Sequence, residues 1–221
     1  MKYDYYIKNP LLGKRDFIPY HYQKLLLERF EDYDNVSVLA HRQSGKSLIG
    51  YVYALEQAKK GVPVLFLTPN KSMGSDVAKT IIPKSKYIRH IPDNSIDFIN
   101  GSSVVISTPN IVYNMENPYE YLKQFRLIIM DEVAYFSDSI LSGITGFIDL
   151  IDDPPRIITL TSANKHKGYA YNNIYNVDSI YFKKVYIRPF ITNTFNIDRK
   201  NKLIKMLGDD VYKREYELKW K

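Results

Sequence analysis

A chain of 221 residues, 45% hydrophobic and 14% aromatic, is long enough to bury one full α/β core with a small appended subdomain and too short for two large domains. It has no cysteine, which excludes a disulfide framework and a cysteine-ligated zinc site. No apolar run approaches the ~20 residues that a membrane span needs, and the first residues, Met-Lys-Tyr-Asp-Tyr-Tyr, are unlike a signal peptide, so an intracellular protein with no membrane partner is expected. The formal charge of +7 is unevenly placed: residues 1–164 carry 18 basic and 18 acidic side chains, residues 165–221 carry 13 and 6. That asymmetry fits either a nearby polyanion such as nucleic acid or a solvated lysine-rich surface. The 20 tyrosines form no base-stacking motif.

Residues 1–16 read as an irregular arm. The segment from Phe17 to Gln23 leads into an amphipathic helix, Tyr22 to Phe30, with Leu25, Leu26 and Leu27 available for a core face. Gln23 lies just upstream of the main motif. Its amide can pair with the donor and acceptor on the adenine edge while an aromatic ring stacks on the base; the plain alternative is a helix start with a solvent-facing glutamine. Val36, Val38 and Leu39 then mark a buried strand that runs into a polar loop, Ala40 to Gly45, and Lys46 and Ser47 open a helical pattern that continues to Lys60. Strand, small-residue loop, Gly-Lys-Ser and helix make a phosphate-binding loop. Backbone N–H groups of Gln43, Ser44, Gly45, Lys46 and Ser47 would face the phosphates of ATP, and the helix N-terminus adds its positive end. Lys46 would reach the β- and γ-phosphates, and Ser47 would ligate Mg²⁺. Ala40 stands where the usual pattern has its first glycine.

After a turn at Gly61-Val62-Pro63, Val64 to Leu67 is a second buried strand. It ends in a polar loop, Thr68 to Ser72, followed by a helix-like stretch to Ile82. Lys71 and Ser72 there could face DNA or serve as a solvated lysine and a helix cap. Residues 83–100 carry little pattern until Ile96 to Ile99, which a turn at Asn100-Gly101 joins to a third strand, Ser103 to Thr108. Residues 109–124 read as a loop and short helix. Leu127 to Met130 then form a central strand ending in two acids, a Walker B pattern: Asp131 would hold Mg²⁺ through its water shell, and Glu132 would orient and deprotonate the attacking water. The interval between the two motifs suits an ATPase core with a strand inserted beside the phosphate loop. An apolar helix, Ile140 to Ile151, is broken by Pro154-Pro155, and Arg156 to Leu160 is a fourth parallel strand. Its polar end, Thr161-Ser162-Ala163-Asn164, lies beside the phosphate loop, where Thr161 and Asn164 can sense the γ-phosphate or merely cap a turn. From Lys165 the chain becomes basic: a helix over Tyr169 to Tyr175, a strand over Tyr181 to Ile187, and a helix over Asp198 to Trp220 broken near Gly208. The expectation is a three-layer α/β/α P-loop NTPase of the additional-strand, catalytic-glutamate type with a mostly parallel sheet, its core over residues 1–180 and a small basic lid or linker over 181–221.

With these motifs in place the chain resembles the ATPase domain of viral large terminases, the motors that pump DNA into capsids. His41-Arg42-Gln43-Ser44-Gly45-Lys46-Ser47 resembles that family's deviant phosphate loop, Tyr22-Gln23 its adenine motif, Leu127 to Phe136 its Walker B segment and Thr161 to Asn164 its coupling motif. The ending, Leu207 to Trp220, resembles the way out of its ATPase half. The resemblance implies ATP hydrolysis with Mg²⁺, translocation of double-stranded viral DNA through a capsid portal, a homo-oligomeric ring, a pentamer, and a place in the host cytoplasm. It implies that Arg42 contacts phosphates within its own subunit and that a neighbouring subunit supplies a second arginine, with Arg126 and Arg156 as candidates. The family's nuclease half is missing here, which argues against endonuclease activity in this chain. Two rivals stand beside this reading. The first ATPase lobe of a helicase also pairs an upstream glutamine with Gly-Lys-Ser, a Thr-Pro-Asn-like loop and Asp-Glu. A non-hydrolysing P-loop module that binds or docks DNA would share the fold, although the intact Lys46, Asp131 and Glu132 argue against it.

Overall fold

Strands that read as unbroken apolar runs must be covered on both faces, and such strands belong at the centre of a parallel sheet. The computed structural model describes residues 5–9, 13–83, 87–90, 95–164, 167–176, 181–189 and 196–220. Its first half comprises β1 (Tyr5–Asn9), β2 (Gly13–Asp16), α1 (His21–Asp32), β3 (Val36–Ala40), α2 (Lys46–Lys59), β4 (Val64–Leu67), α3 (Lys71–Thr80) and β5 (Ile81–Pro83). Next come β6 (Ile88–His90), β7 (Ser95–Phe98), β8 (Ser103–Ser107), α4 (Pro109–Tyr113), α5 (Pro118–Leu122) and β9 (Leu127–Asp131). The remainder is α6 (Asp138–Asp149), β10 (Arg156–Thr161), a π-helical turn at Ala170–Tyr175, β11 (Lys183–Ile187), α7 (Ile197–Leu207) and α8 (Asp209–Glu215).

The main sheet has eight strands in the order β11-β3-β10-β9-β4-β8-β7-β6. The six from β11 to β8 are parallel, and β7 and β6 add an antiparallel edge. Every residue of β3, β4 and β9 is buried. One face packs against α1 and α2 through Leu26, Phe30, Ile49 and Tyr53. The other packs against α4, α5, α6 and the π-helical turn through Val112, Leu122, Leu141, Ile144 and Tyr175. The fold is therefore the mostly parallel P-loop architecture expected. β10 lies between β3 and β9, so a strand is inserted beside the phosphate-loop strand, as the additional-strand type implies. No helix among the described residues is long and apolar enough to cross a membrane.

Two expectations change. Residues 1–4 and 10–12 of the expected irregular arm lie outside the described residues, but 5–9 and 13–16 are strands: β1 pairs with β2 and with β5 in a separate antiparallel sheet. Its partner β5 is some seventy-five residues away in the chain, so nothing local announces the pairing. The segment from Tyr169 to Tyr175 forms, but as a π-helical turn rather than an α-helix. Past residue 181 the chain adds one more strand to the main sheet. β11 pairs along the whole of β3 and covers the edge that the phosphate-loop strand would otherwise expose, leaving α7 and α8 outside the sheet.

Arg156 shows how the layers are tied. Its guanidinium donates to the Phe30 carbonyl, to the Tyr33 carbonyl at 2.7 Å and to the Tyr53 hydroxyl at 3.3 Å. It sits at the first residue of β10, about 17 Å of strand from the Thr161 end, and joins the end of α1 to the sheet. Arg156→Met strands these buried acceptors. The expected loss is about 2 kcal/mol, a fall in Tm of roughly 4–8 °C, with ATP affinity per folded molecule unchanged. Thermal melts paired with ATP titration would check both.

Candidate active site

In an open α/β sheet, ligands bind beyond the carboxyl ends of the strands. The ends of β3, β9 and β10 bring together nearly every residue singled out by sequence. The loop between β3 and α2 takes two left-handed residues, Gln43 at φ 64° and Gly45 at φ 77°, and Gly45 caps the helix that starts at Lys46. Glycine is needed there twice over, because a Cβ would stand 2.7 Å from Gln23 Nε2. Tyr22 donates its hydroxyl to the Ser44 carbonyl at 2.6 Å. Burial pushes the Tyr22 pKa up to about 12, so it stays a donor. Gln23 is buried rather than solvent-facing, and its Oε1 accepts the Tyr20 N–H at 2.9 Å. The segment before the loop thus holds the loop in place.

Lys46 is 6% exposed in its side chain, and its Nζ lies 2.6 Å from Glu132 Oε1. Glu132 has a left-handed backbone, φ 53° and ψ 41°, uncommon for a residue with a Cβ and a recurrent feature of functional positions. The polar end of β10 secures that turn. The Ser162 N–H donates to Glu132 Oε2 at 3.5 Å, and the Thr161 hydroxyl lies 3.4 Å from the same oxygen. The Ala134 N–H donates to Thr161 Oγ1 at 3.4 Å, and Asn164 Nδ2 donates to the Ala134 carbonyl at 2.6 Å. Thr161 and Asn164 therefore do more than cap their own turn: they connect β10 to the second acid of the Walker B strand.

Asp131 is fully buried, and neither of its oxygens has a hydrogen bond of good geometry among the described residues; the Ser44 hydroxyl is in the same position. Burial raises the Asp131 pKa from the usual 3.8 to about 6; the Lys46 charge pulls it down, the Glu132 charge pushes it up, and the nearby Ser47 hydroxyl pulls it down again. A buried carboxylate beside a hydroxyl and lacking partners is the oxygen donor set that Mg²⁺ takes, so Ser47 and Asp131 fit the ion expected from sequence.

Other expectations land differently. Arg42 is 62% exposed in its side chain and lies 3.8 Å from Glu215 on α8. Its backbone N–H donates to the Glu215 carbonyl at 2.9 Å. Arg126, at the opposite end of the sheet, pairs with Asp153 at 2.6 Å, and Arg156 is committed to the core. At the start of α3, Asn70 accepts from the Ser72 hydroxyl and the Met73 N–H, so Ser72 belongs to a capped turn and Lys71 is exposed. Sequence reasoning missed Glu215, which is 4% exposed and also paired with Arg214 at 3.2 Å. The signal was present: Val211, Tyr212, Glu215 and Tyr216 recur at helical spacing and put this one acid of a charged run on the inner face. His41 was missed too. It stacks on Tyr216 with centroids 6.1 Å apart, and burial, offset partly by its contact with the Arg42 carbonyl, lowers its pKa, as do the charges of Lys46 and Arg199.

Residues 20–166, from the turn before Gln23 to just past Asn164, match the DEAD/DEAH box helicase family. The chain belongs to that family. The curated ATP-dependent DNA helicase Hel308 of Thermoplasma volcanium is 24% identical over 136 residues, which is 58% of this chain and 20% of the relative. This DEAD/DEAH box family member thus spans about a fifth of that helicase. Among solved structures, the large terminase of a thermophilic bacteriophage superposes with a TM-score of 0.66 at 14% identity, covering 90% of this chain and 53% of that one. The large terminase ATPase domain of Thermus phage P74-26 gives 0.63 at 13% identity, covering 92% and 94%. The UvsW helicase of bacteriophage T4 gives 0.58 at 16%, covering 82% and 63%. At such identities the shared property is the fold. The chain is thus a DEAD/DEAH box family member with the P-loop NTPase fold.

A carboxyl with a raised pKa binds its proton more tightly in the folded than in the unfolded chain. Stability is then highest below the unfolded value, falls as pH climbs from about 4 to about 6, and stays low above. Asp131→Asn should therefore stabilise the nucleotide-free protein at pH 7.5 by on the order of 2 kcal/mol, with the gain vanishing near pH 4. Denaturant melts of both proteins across that range would check it.

Proposed function

We propose that the chain is the ATPase of a motor that moves double-stranded DNA, and that it works in the packaging of viral DNA through a capsid portal in the host cytoplasm. The observation that carries the ATPase part is the Lys46–Glu132 pair with Glu132 gripped by the end of β10. Lys46, Gln43, Ser44, Gly45 and Ser47 would hold the phosphates of ATP, and Gln23 and its aromatic neighbours would sit beside the adenine. Ser47 and Asp131 would hold Mg²⁺, which would offset the negative charge of the phosphates. Glu132 would orient the attacking water and take its proton, and Thr161 and Asn164 would carry the change at the γ-phosphate into β10. The end-to-end overlap with a terminase ATPase domain supports the packaging part, as does the surplus of basic residues after residue 165.

A ring of such subunits would share its sites. A neighbour's arginine is worth ~10³–10⁵ in rate in comparable enzymes, and of the two candidates only Arg126 is exposed enough to serve. The second reading, the first ATPase lobe of a helicase, is favoured by the family match and by the helicase relative. The two readings separate on nucleic acid and concentration. ATP turnover, with Lys46→Ala as the blank, should rise more steeply than linearly with protein concentration and rise again with linear duplex DNA. Turnover proportional to protein and stimulated only by single strands would replace the packaging reading with the helicase one. Turnover equal to the blank would overturn both.

A further inference from the structure

The C-terminal helices do not hang free of the nucleotide loop. α8 meets it through Glu215, and the residue after it, Tyr216, stacks on His41. α7 meets it at a different point: Arg199, in its first turn, donates from Nη2 to Gln43 Oε1 at 3.4 Å. Gln43 is a left-handed residue of the loop itself. α7 is seated for this by its cap, the Asn196 side chain accepting the Arg199 N–H at 2.8 Å, and it buries none of its side chains. The guanidinium is also close enough for its charge to lower the pKa of His41. A cation is thus carried to the rim of an anion-binding loop by an element outside the main sheet. Among its contacts is this long one to a neutral amide, weaker than a charge-assisted bond to a phosphate oxygen. Arg42, the loop's own arginine, lies against buried Glu215 instead.

We infer that Arg199 is a nucleotide-binding residue: on ATP binding it leaves Gln43 and contacts the triphosphate, drawing the first turn of α7 onto the site. The inference rests on the proposed ATP-binding role of the Lys46 loop. It makes α7, which contributes nothing to the main core, the element that closes over the phosphates.

Three substitutions separate a phosphate contact from a structural tether. Arg199→Gln keeps the ability to bond Gln43 and loses the charge, Arg199→Lys keeps the charge, and Lys205→Ala removes a charge about 9 Å further along the same helix. ATP affinity by calorimetry should fall about tenfold for Arg199→Gln, the worth of one charge-assisted bond. It should stay within about threefold of wild type for Arg199→Lys and remain unchanged for Lys205→Ala, with all three melting at the wild-type temperature. Wild-type affinity in Arg199→Gln, or an equal loss in Lys205→Ala, would overturn the assignment while Lys46→Ala still abolishes binding. If Lys46→Ala itself binds ATP normally, the underlying reading fails rather than the role of Arg199 alone.

Discussion

The ion pair between Lys46 and Glu132 is the constraint on which the site depends. Both charges are largely withdrawn from water and 2.6 Å apart, and either one left alone there would be an uncompensated buried charge. Without nucleotide each serves as the counter-ion of the other. Under the proposed ATP-binding role, phosphate oxygens would compete for the lysine, and a lysine drawn to phosphate would release the carboxylate for a water. One contact thus links occupancy of the loop to the state of the candidate base. The left-handed backbone at Glu132 aims the carboxylate, and the hydrogen bonds from Ser162 and Asn164 keep that conformation populated.

Sheet order makes this arrangement unavoidable. A strand inserted between β3 and β9 must end between their two loops, so the Thr161–Asn164 segment touches the Walker B turn whatever else it does. On the other side of β3, β11 seals the edge and delivers the chain to α7 and α8, which return to the outside of the same loop. The loop is therefore held from three directions: by Tyr22 and Gln23 beneath Ser44 and Gly45, by Glu132 across the strand ends, and by Glu215 and Arg199 from the C-terminal helices. The buried Asp131 carboxyl, whose pKa burial raises, carries a cost in stability at neutral pH, which is the usual exchange between a poised site and a comfortable fold.

Much of this was legible in the residues. Buried parallel strands announce themselves as apolar runs, and Gly-Lys-Ser and Asp-Glu at the ends of two such runs could be placed on the carboxyl rim of the sheet. What the sequence hid was non-local. The pairing of β1 with β5 joins segments far apart in the chain, and the seating of β11 against β3 depends on an edge no local pattern reveals. Arg156 looked like a free cation able to reach a neighbour; only the fold shows that it bonds two carbonyls at the end of α1 and the Tyr53 hydroxyl of α2. Gln23 was legible as a residue near the loop, but its burial and its bond to Tyr20 were not. The resemblance to terminases and the helicase alternative both left traces, because the two share this architecture: the sequence family is that of DEAD/DEAH box helicases, while the fold overlaps a terminase ATPase domain from end to end.

The most direct test of the Lys46–Glu132 linkage is the ATP dissociation constant of Glu132→Gln against wild type, read alongside single-turnover hydrolysis. If ATP must displace Glu132 from Lys46, the variant binds ATP several-fold more tightly and fails to hydrolyse it. Unchanged or weaker binding, with hydrolysis at the wild-type rate, would contradict the account.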